Sequence, residues 1–145
     1  MVKSTTMNIW IINGPNLNLT GKRQPSIYGN QSFDDFMDGL RIKYPHIAFH
    51  YYQSNIEGEL ISAIQEAGKA ADAIILNAGG YTHTSVGIAD AVQAVYCPVI
   101  EVHLSNLFSR EDFRHRSYIA PYARGVILGF GMDSYRLAIE SLIGE

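Results

Sequence analysis

Hydrophobic residues recur along the chain in short, mostly continuous runs, at positions 7–12, 47–52, 73–76, 99–102 and 126–128. Runs of that length, mostly without polar alternation, predict strands of a parallel sheet that is covered on both faces. The intervening stretches 33–44, 57–71, 85–96 and 134–143 have helical spacing, with Leu60, Ile61 and Ile64 on one face and Glu59, Gln65 and Glu66 elsewhere. Ser54 and Glu57 fit a capping box in front of the second of these helices.

Strands that alternate with helices imply right-handed crossovers and an open α/β sheet. For five strands the expected architecture is the doubly wound, flavodoxin-like order 2-1-3-4-5. No linker, repeat or low-complexity stretch interrupts the pattern, so residues 1–145 read as a single domain. This order places the carboxyl ends of strands 1, 3 and 4 around one crevice, because the crossovers from strands 1 and 3 leave on opposite faces. Three polar islands begin at those ends: Asn13-Gly14-Pro15-Asn16, Asn77-Ala78-Gly79-Gly80 with His83, and Glu101-Val102-His103-Leu104-Ser105-Asn106.

Composition narrows the chemistry. With 145 residues, 47% of them hydrophobic, the chain can bury a core without disulfides or metal. A formal charge of −3 gives no general attraction for nucleic acid. Cys97 is the only cysteine, which excludes an internal disulfide framework and fits a reducing compartment, the cytoplasm by default. The first seven residues do not resemble a signal-peptide core, and no apolar run approaches membrane-spanning length.

Nucleotide motifs are a poor fit. Six residues separate Gly14 from Gly21 where a phosphate loop has four, and Arg23 occupies the place of its Ser or Thr. Gly129-Phe130-Gly131 lacks the third glycine of a dinucleotide fingerprint. The five histidines show no metal-ligand spacing, so no metal is expected. Ser105 lies near His103 but has no strand-to-helix elbow to expose it as a nucleophile.

Acid/base chemistry fits better. The loop after Asn16 carries Lys22, Arg23 and Tyr28 and is long enough to cover the crevice. Bringing a tyrosine from its ordinary value near 10 to about 7 requires roughly 4 kcal/mol. One arginine about 4 Å away supplies on the order of that energy before the cost of burial. Glu101 precedes His103 by two residues on the same strand face, where it can orient the imidazole. The segment from Ser109 to Arg116 is the densest positive cluster in an acidic chain, compatible with an anionic substrate, a subunit contact or a solvated helix face. A lone histidine at a strand end is more often a core residue, and Asn-Gly-Pro-Asn is also ordinary turn chemistry. Their shared position at the switch point favours a site.

The segments Asn13 to Leu19, Gly21-Lys22-Arg23-Gln24-Pro25 with Tyr28-Gly29, Gln53-Ser54-Asn55 through Ile61, Leu76 to Gly80 with Thr82 to Ser85, Glu101 to Asn106, and Arg110-Glu111 with Phe113-Arg114 together resemble the type II 3-dehydroquinate dehydratases over nearly the whole chain. The resemblance implies dehydration of 3-dehydroquinate to 3-dehydroshikimate through an enolate, without metal or cofactor, in the shikimate pathway or quinate breakdown. It casts Tyr28 as the base, Arg23 as the group lowering its pKa, Asn16 as holder of a water that stabilises the enolate, and His103 as the acid oriented by Glu101. Asn77, His83 and Arg114 match positions that hold substrate hydroxyls or neighbouring polar groups, and the amides of Leu104 and Ser105 match a carboxylate site. Arg110 matches a further arginine near the site, and Asp90 a residue reaching a neighbouring subunit's site within a homododecamer built from four trimers.

Two positions depart from the family pattern. Gln24 stands where an acidic residue is common and Thr20 where an apolar one is, which predicts altered lid contacts more than lost chemistry. Two rival readings remain at this level, a flavodoxin-like module binding a nucleotide or flavin and a structural subunit that has lost catalysis. The structural-subunit reading does not explain why Asn16, Arg23, Tyr28 and His103 occur together, because packing alone does not require those four polar groups.

Overall fold

The computed structural model describes residues 6–20 and 31–144. Five parallel strands, β1 (Met7–Asn13), β2 (Ile47–Gln53), β3 (Ala73–Asn77), β4 (Val99–His103) and β5 (Gly125–Leu128), form one sheet in the order β2-β1-β3-β4-β5. Among the described residues, four α-helices connect or follow them: α1 (Phe33–Lys43), α2 (Glu57–Ala70), α3 (Val86–Ala94) and α4 (Asp133–Ile143). The expected strand order and flanking helices are therefore present.

Side-chain alternation on the strands divides the interior into two cores. Ile9, Ile11, Ile75, Ile100 and Val102 face α1 and α4, where Phe33, Met37, Leu40, Tyr135 and Ile139 are buried against them. Ile12, Ile74, Leu76 and Val99 face α2 and α3, against Leu60, Ile64, Ile88 and Val92. Both faces of β3 and β4 are consequently buried at every residue, which accounts for their mostly apolar sequences, broken by Glu101 within β4 and by Asn77 and His103 at the strand ends. The edges differ from that expectation: Ala48 and His50 on β2 and Val126 on β5 are exposed, because an edge strand has a neighbour on one side only.

Local signals set the helix ends with small departures. Ser32 caps α1 by accepting from the Asp35 amide, and Asp34 and Asp35 lie in the first turn with Arg41 and Lys43 in the last, each sign matched to its end of the helix dipole. Ser85 caps α3 by accepting from Ile88 N–H, and α3 stops at Ala94, two residues short of the sequence expectation, ahead of Pro98. The expected capping box of Ser54 with Glu57 is corrected. Ile56 is the N-cap of α2, so the third helical residue is Glu59, and Ser54 donates to Glu59 Oε1 at 2.5 Å. Glu57 instead accepts from Ser85.

The β4–β5 connection contains no α-helix. It runs through single 3-10 turns at Leu107–Ser109, Asp112–His115 and Ala120–Tyr122, so the basic cluster from Ser109 to Arg116 does not lie on a helix face. It wraps instead over the carboxyl end of the sheet.

Candidate active site

The cleft at the carboxyl ends of β1, β3 and β4 has a volume of about 140 Å³. Strand β1 contributes Asn16, β3 contributes Asn77 and His83, and β4 contributes His103, Leu104, Ser105, Arg110 and Arg114. Eight expected site residues thus line one cavity. Glu101 lies beneath His103, and Asp90 is exposed on α3 and does not line the cavity. Tyr28 and Arg23, together with Gln24, lie outside the described residues.

Register explains the convergence. Asn13 pairs with Asn77 at the ends of β1 and β3, and His103 pairs with Leu128 at the end of β4. The ladders stop there, so the chain beyond each strand turns into the cleft. Gly14 is required at the first turn: a Cβ on it would stand 2.4 Å from the Ala78 carbonyl oxygen. Its amide donates to the Asn77 carbonyl at 2.7 Å and holds the two turns together.

His103 is 4% exposed and Glu101 is 1% exposed, and Nε2 of the ring stands 2.5 Å from Glu101 Oε2. Burial of this carboxylate is tolerated because its other oxygen also has a donor, Ser117 Oγ at 2.9 Å. Ser117 in turn accepts from the amides of Ile119 at 3.1 Å and Ala120 at 3.0 Å. Both hydroxyl lone pairs are then occupied, leaving its proton only for Glu101. With Nε2–H directed at the carboxylate, Nδ1 is the nitrogen of His103 left for chemistry in the cleft.

His83 stacks toward His103, with ring centroids 6.4 Å apart and planes inclined by 21°. Its Nδ1 lies 2.8 Å from the Arg116 carbonyl oxygen, an acceptor, so Nδ1 carries the proton and Nε2 is left as an acceptor. Burial lowers the pKa of His83 below its ordinary value, opposed by that bond to Arg116 and aided by electrostatic repulsion from the Arg114 guanidinium. A neutral imidazole with a free acceptor suits a substrate hydroxyl.

The cationic side of the cleft is similarly fixed. Arg110 Nη1 donates to Ser105 Oγ at 3.1 Å, and Arg114 Nε donates to Glu111 Oε1 at 2.9 Å while its guanidinium lies over the Phe113 ring. The amides of Leu104 and Ser105 follow the last paired residue of β4, next to these arginines. Thr20 lines the cleft and is buried, with its hydroxyl donating to the Leu17 carbonyl at 2.6 Å. A threonine at this departure from the family pattern therefore closes the turn around Asn16.

Three supporting groups had no assigned role in the sequence. Tyr135 on α4 is fully buried, donates to Asn13 Oδ1 at 2.7 Å and accepts from Asn77 Nδ2 at 2.9 Å. The Asn77 side chain also accepts from Gly79 N–H, which leaves one N–H for the cleft. Ser117 and Asn55 act through partners 16 and 39 residues away in sequence. A tyrosine in an apolar helix face is the only one of the three with a visible signal, since its hydroxyl must find a partner when buried.

Fold and cleft together define a doubly wound α/β enzyme with its polar groups gathered at the topological switch point. The sequence profile of the Dehydroquinase class II family matches residues 7–143. A 3-dehydroquinate dehydratase of Prochlorococcus marinus (strain NATL1A) is 48% identical over 139 residues, covering 94% of this chain and 96% of that protein. Crystal structures of type II dehydroquinases are also similar. That from Butyrivibrio crossotus has a TM-score of 0.90 at 44% identity, over 94% of this chain and 97% of the other. That from Propionibacterium acnes has a TM-score of 0.91 at 32% identity, over 99% and 100%. The chain belongs to the class II dehydroquinase family.

Proposed function

We propose that this protein dehydrates 3-dehydroquinate to 3-dehydroshikimate in the shikimate pathway, by a stepwise elimination that needs no cofactor. The observation that carries the reading is the buried Glu101–His103 pair in a cleft shared with His83, Asn77 and two arginines. Tyr28 removes a proton alpha to the ketone, assisted by Arg23, and the electron pair moves onto the carbonyl oxygen as an enolate. A water held by Asn16 donates to that oxygen. The enolate then collapses, the carbon–hydroxyl bond breaks, and His103 Nδ1 supplies the proton that lets the hydroxyl leave as water.

The remaining residues hold the substrate. His83 Nε2 accepts from a hydroxyl, the spare N–H of Asn77 donates to another oxygen, and Arg114 lies beside them. The Leu104 and Ser105 amides take the carboxylate, with Arg110 braced against Ser105. Alignment of this kind contributes several kcal/mol to the lowering of the barrier. Asp90 faces outward on α3 and enters a neighbouring protomer's site in a homododecamer of four trimers, and the enzyme works in the cytoplasm.

The test is turnover of 3-dehydroquinate by chelator-treated protein, followed by the enone absorbance of the product. Turnover that is lost in Tyr28→Phe and in His103→Gln supports the reading. A parent protein without turnover rejects it.

A further inference from the structure

Asn16 is the only non-glycine residue with positive φ among the described residues, at φ 71° and ψ −6°. Asparagine tolerates the left-handed region better than most residues, but the conformation persists only where neighbours impose it. Here they come from the end of the edge strand β2. Asn55 Oδ1 accepts from Asn16 N–H at 3.0 Å, and Gln53 Nε2 donates both to that oxygen at 3.1 Å and to the Gly14 carbonyl at 3.2 Å. The Asn55 backbone is itself anchored, since Tyr81 donates from its hydroxyl to the Asn55 carbonyl at 2.7 Å.

Neither Gln53 nor Asn55 lines the cleft, whereas Asn16 does, and the Asn16 side chain makes no capping bond within its own turn. We propose that Asn55, braced by Gln53, is a positioning residue for catalysis: its carboxamide oxygen holds the left-handed backbone that presents the Asn16 side chain to the cleft. The inference rests on the role of Asn16 given above. What Asn55 contributes is an acceptor, so an aspartate at this position keeps the function and an alanine does not.

Asn55 is exposed, so its variants retain the core, which thermal unfolding checks. Steady-state kinetics of Asn55→Ala and Asn55→Asp in the parent, and of Asn55→Ala in an Asn16→Gly background, are the test. Displacement of a positioned group predicts that Asn55→Ala lowers kcat about tenfold with KM within about twofold of the parent. Asn55→Asp restores kcat to within about threefold, and in the Asn16→Gly background Asn55→Ala changes it by less than about twofold, because the group it acts through is gone. Parental kcat in Asn55→Ala, an equal loss in Asn55→Asp, or an undiminished loss in the Asn16→Gly background overturns the proposal. An Asn16→Gly protein with parental kcat refutes the role of Asn16 and this proposal with it, and an inactive parent refutes the dehydratase reading instead.

Discussion

Glu101→Gln is an almost isosteric change that the surrounding hydrogen bonds cannot absorb. The carboxylate accepts twice, from His103 Nε2–H at 2.5 Å and from Ser117 Oγ–H at 2.9 Å. Ser117 cannot turn around to accept, because the amides of Ile119 and Ala120 occupy its lone pairs. A carboxamide placed here must therefore aim its NH2 group at a donor. If the NH2 faces Ser117, two buried donors oppose each other. If it faces His103, Nε2 must become an acceptor and the single proton moves to Nδ1, leaving a neutral ring with no anion beside it. A hydrogen bond to a charged group contributes about 1.5–3 kcal/mol, and a buried donor left unpaired costs about 1–3 kcal/mol. Loss of the first alone corresponds to roughly 10- to 150-fold in rate. We expect kcat for 3-dehydroquinate to fall about a hundredfold with KM changed by less than about threefold, since the interaction is made to the acid proposed for the elimination rather than to bound substrate. Enone absorbance gives the rates, and 15N NMR of the imidazole gives the tautomer. A kcat within threefold of the parent, with Nε2 still protonated, would refute the argument.

Three further perturbations have definite outcomes. Tyr135→Phe strands Asn13 Oδ1 and Asn77 Nδ2 in the core at about 1–3 kcal/mol each, so urea denaturation should show a loss of roughly 2–6 kcal/mol with kcat/KM also reduced; a loss below about 0.5 kcal/mol counts against the bridge. In Gly14→Ala the new methyl meets the backbone of Ala78 at 2.4 Å, and overpacking of this kind should cost about 1–3 kcal/mol and lower turnover together; parental melting and kinetics would contradict it. Tyr44 donates to Glu140 at 2.5 Å, and burial, aided by that carboxylate, raises its pKa to about 12. The native state thus retains a proton that the unfolded chain releases near pH 10. The stability of the parent over Tyr44→Phe should hold up to about pH 10 and disappear by about pH 12, and a difference independent of pH in that window would rule out the shift.

How much of this was readable in the sequence depends on how local each cause is. The strands at 73–76 and 99–102 are legible because both faces are buried, and the order then follows from the alternation with helices. The cleft is legible for the same reason, since its residues follow strand ends directly. Glu101 and His103 could be paired from spacing alone, because two residues on one strand share a face. The proton inventory that fixes them could not, because Ser117 reaches Glu101 only after the chain has crossed over the sheet in 3-10 turns. The capping box failed by two residues, because Ser54 and Glu57 fit the motif but the helix takes Ile56 as its cap. Asn55 stands in a segment that matches the family but carries no role of its own there; only the fold brings it to the backbone of Asn16.

The central claim is a division of labour, with Tyr28 removing the proton and His103 assisting only the departure of the hydroxyl. Incubating His103→Gln with 3-dehydroquinate in D2O and analysing the recovered substrate by NMR tests it most directly. The account predicts deuterium at the carbon alpha to the ketone with almost no dehydration, because enolate formation survives and collapse does not. Recovered substrate free of deuterium, while the same protein still binds it, would show that His103 is needed for the first step and would contradict the account.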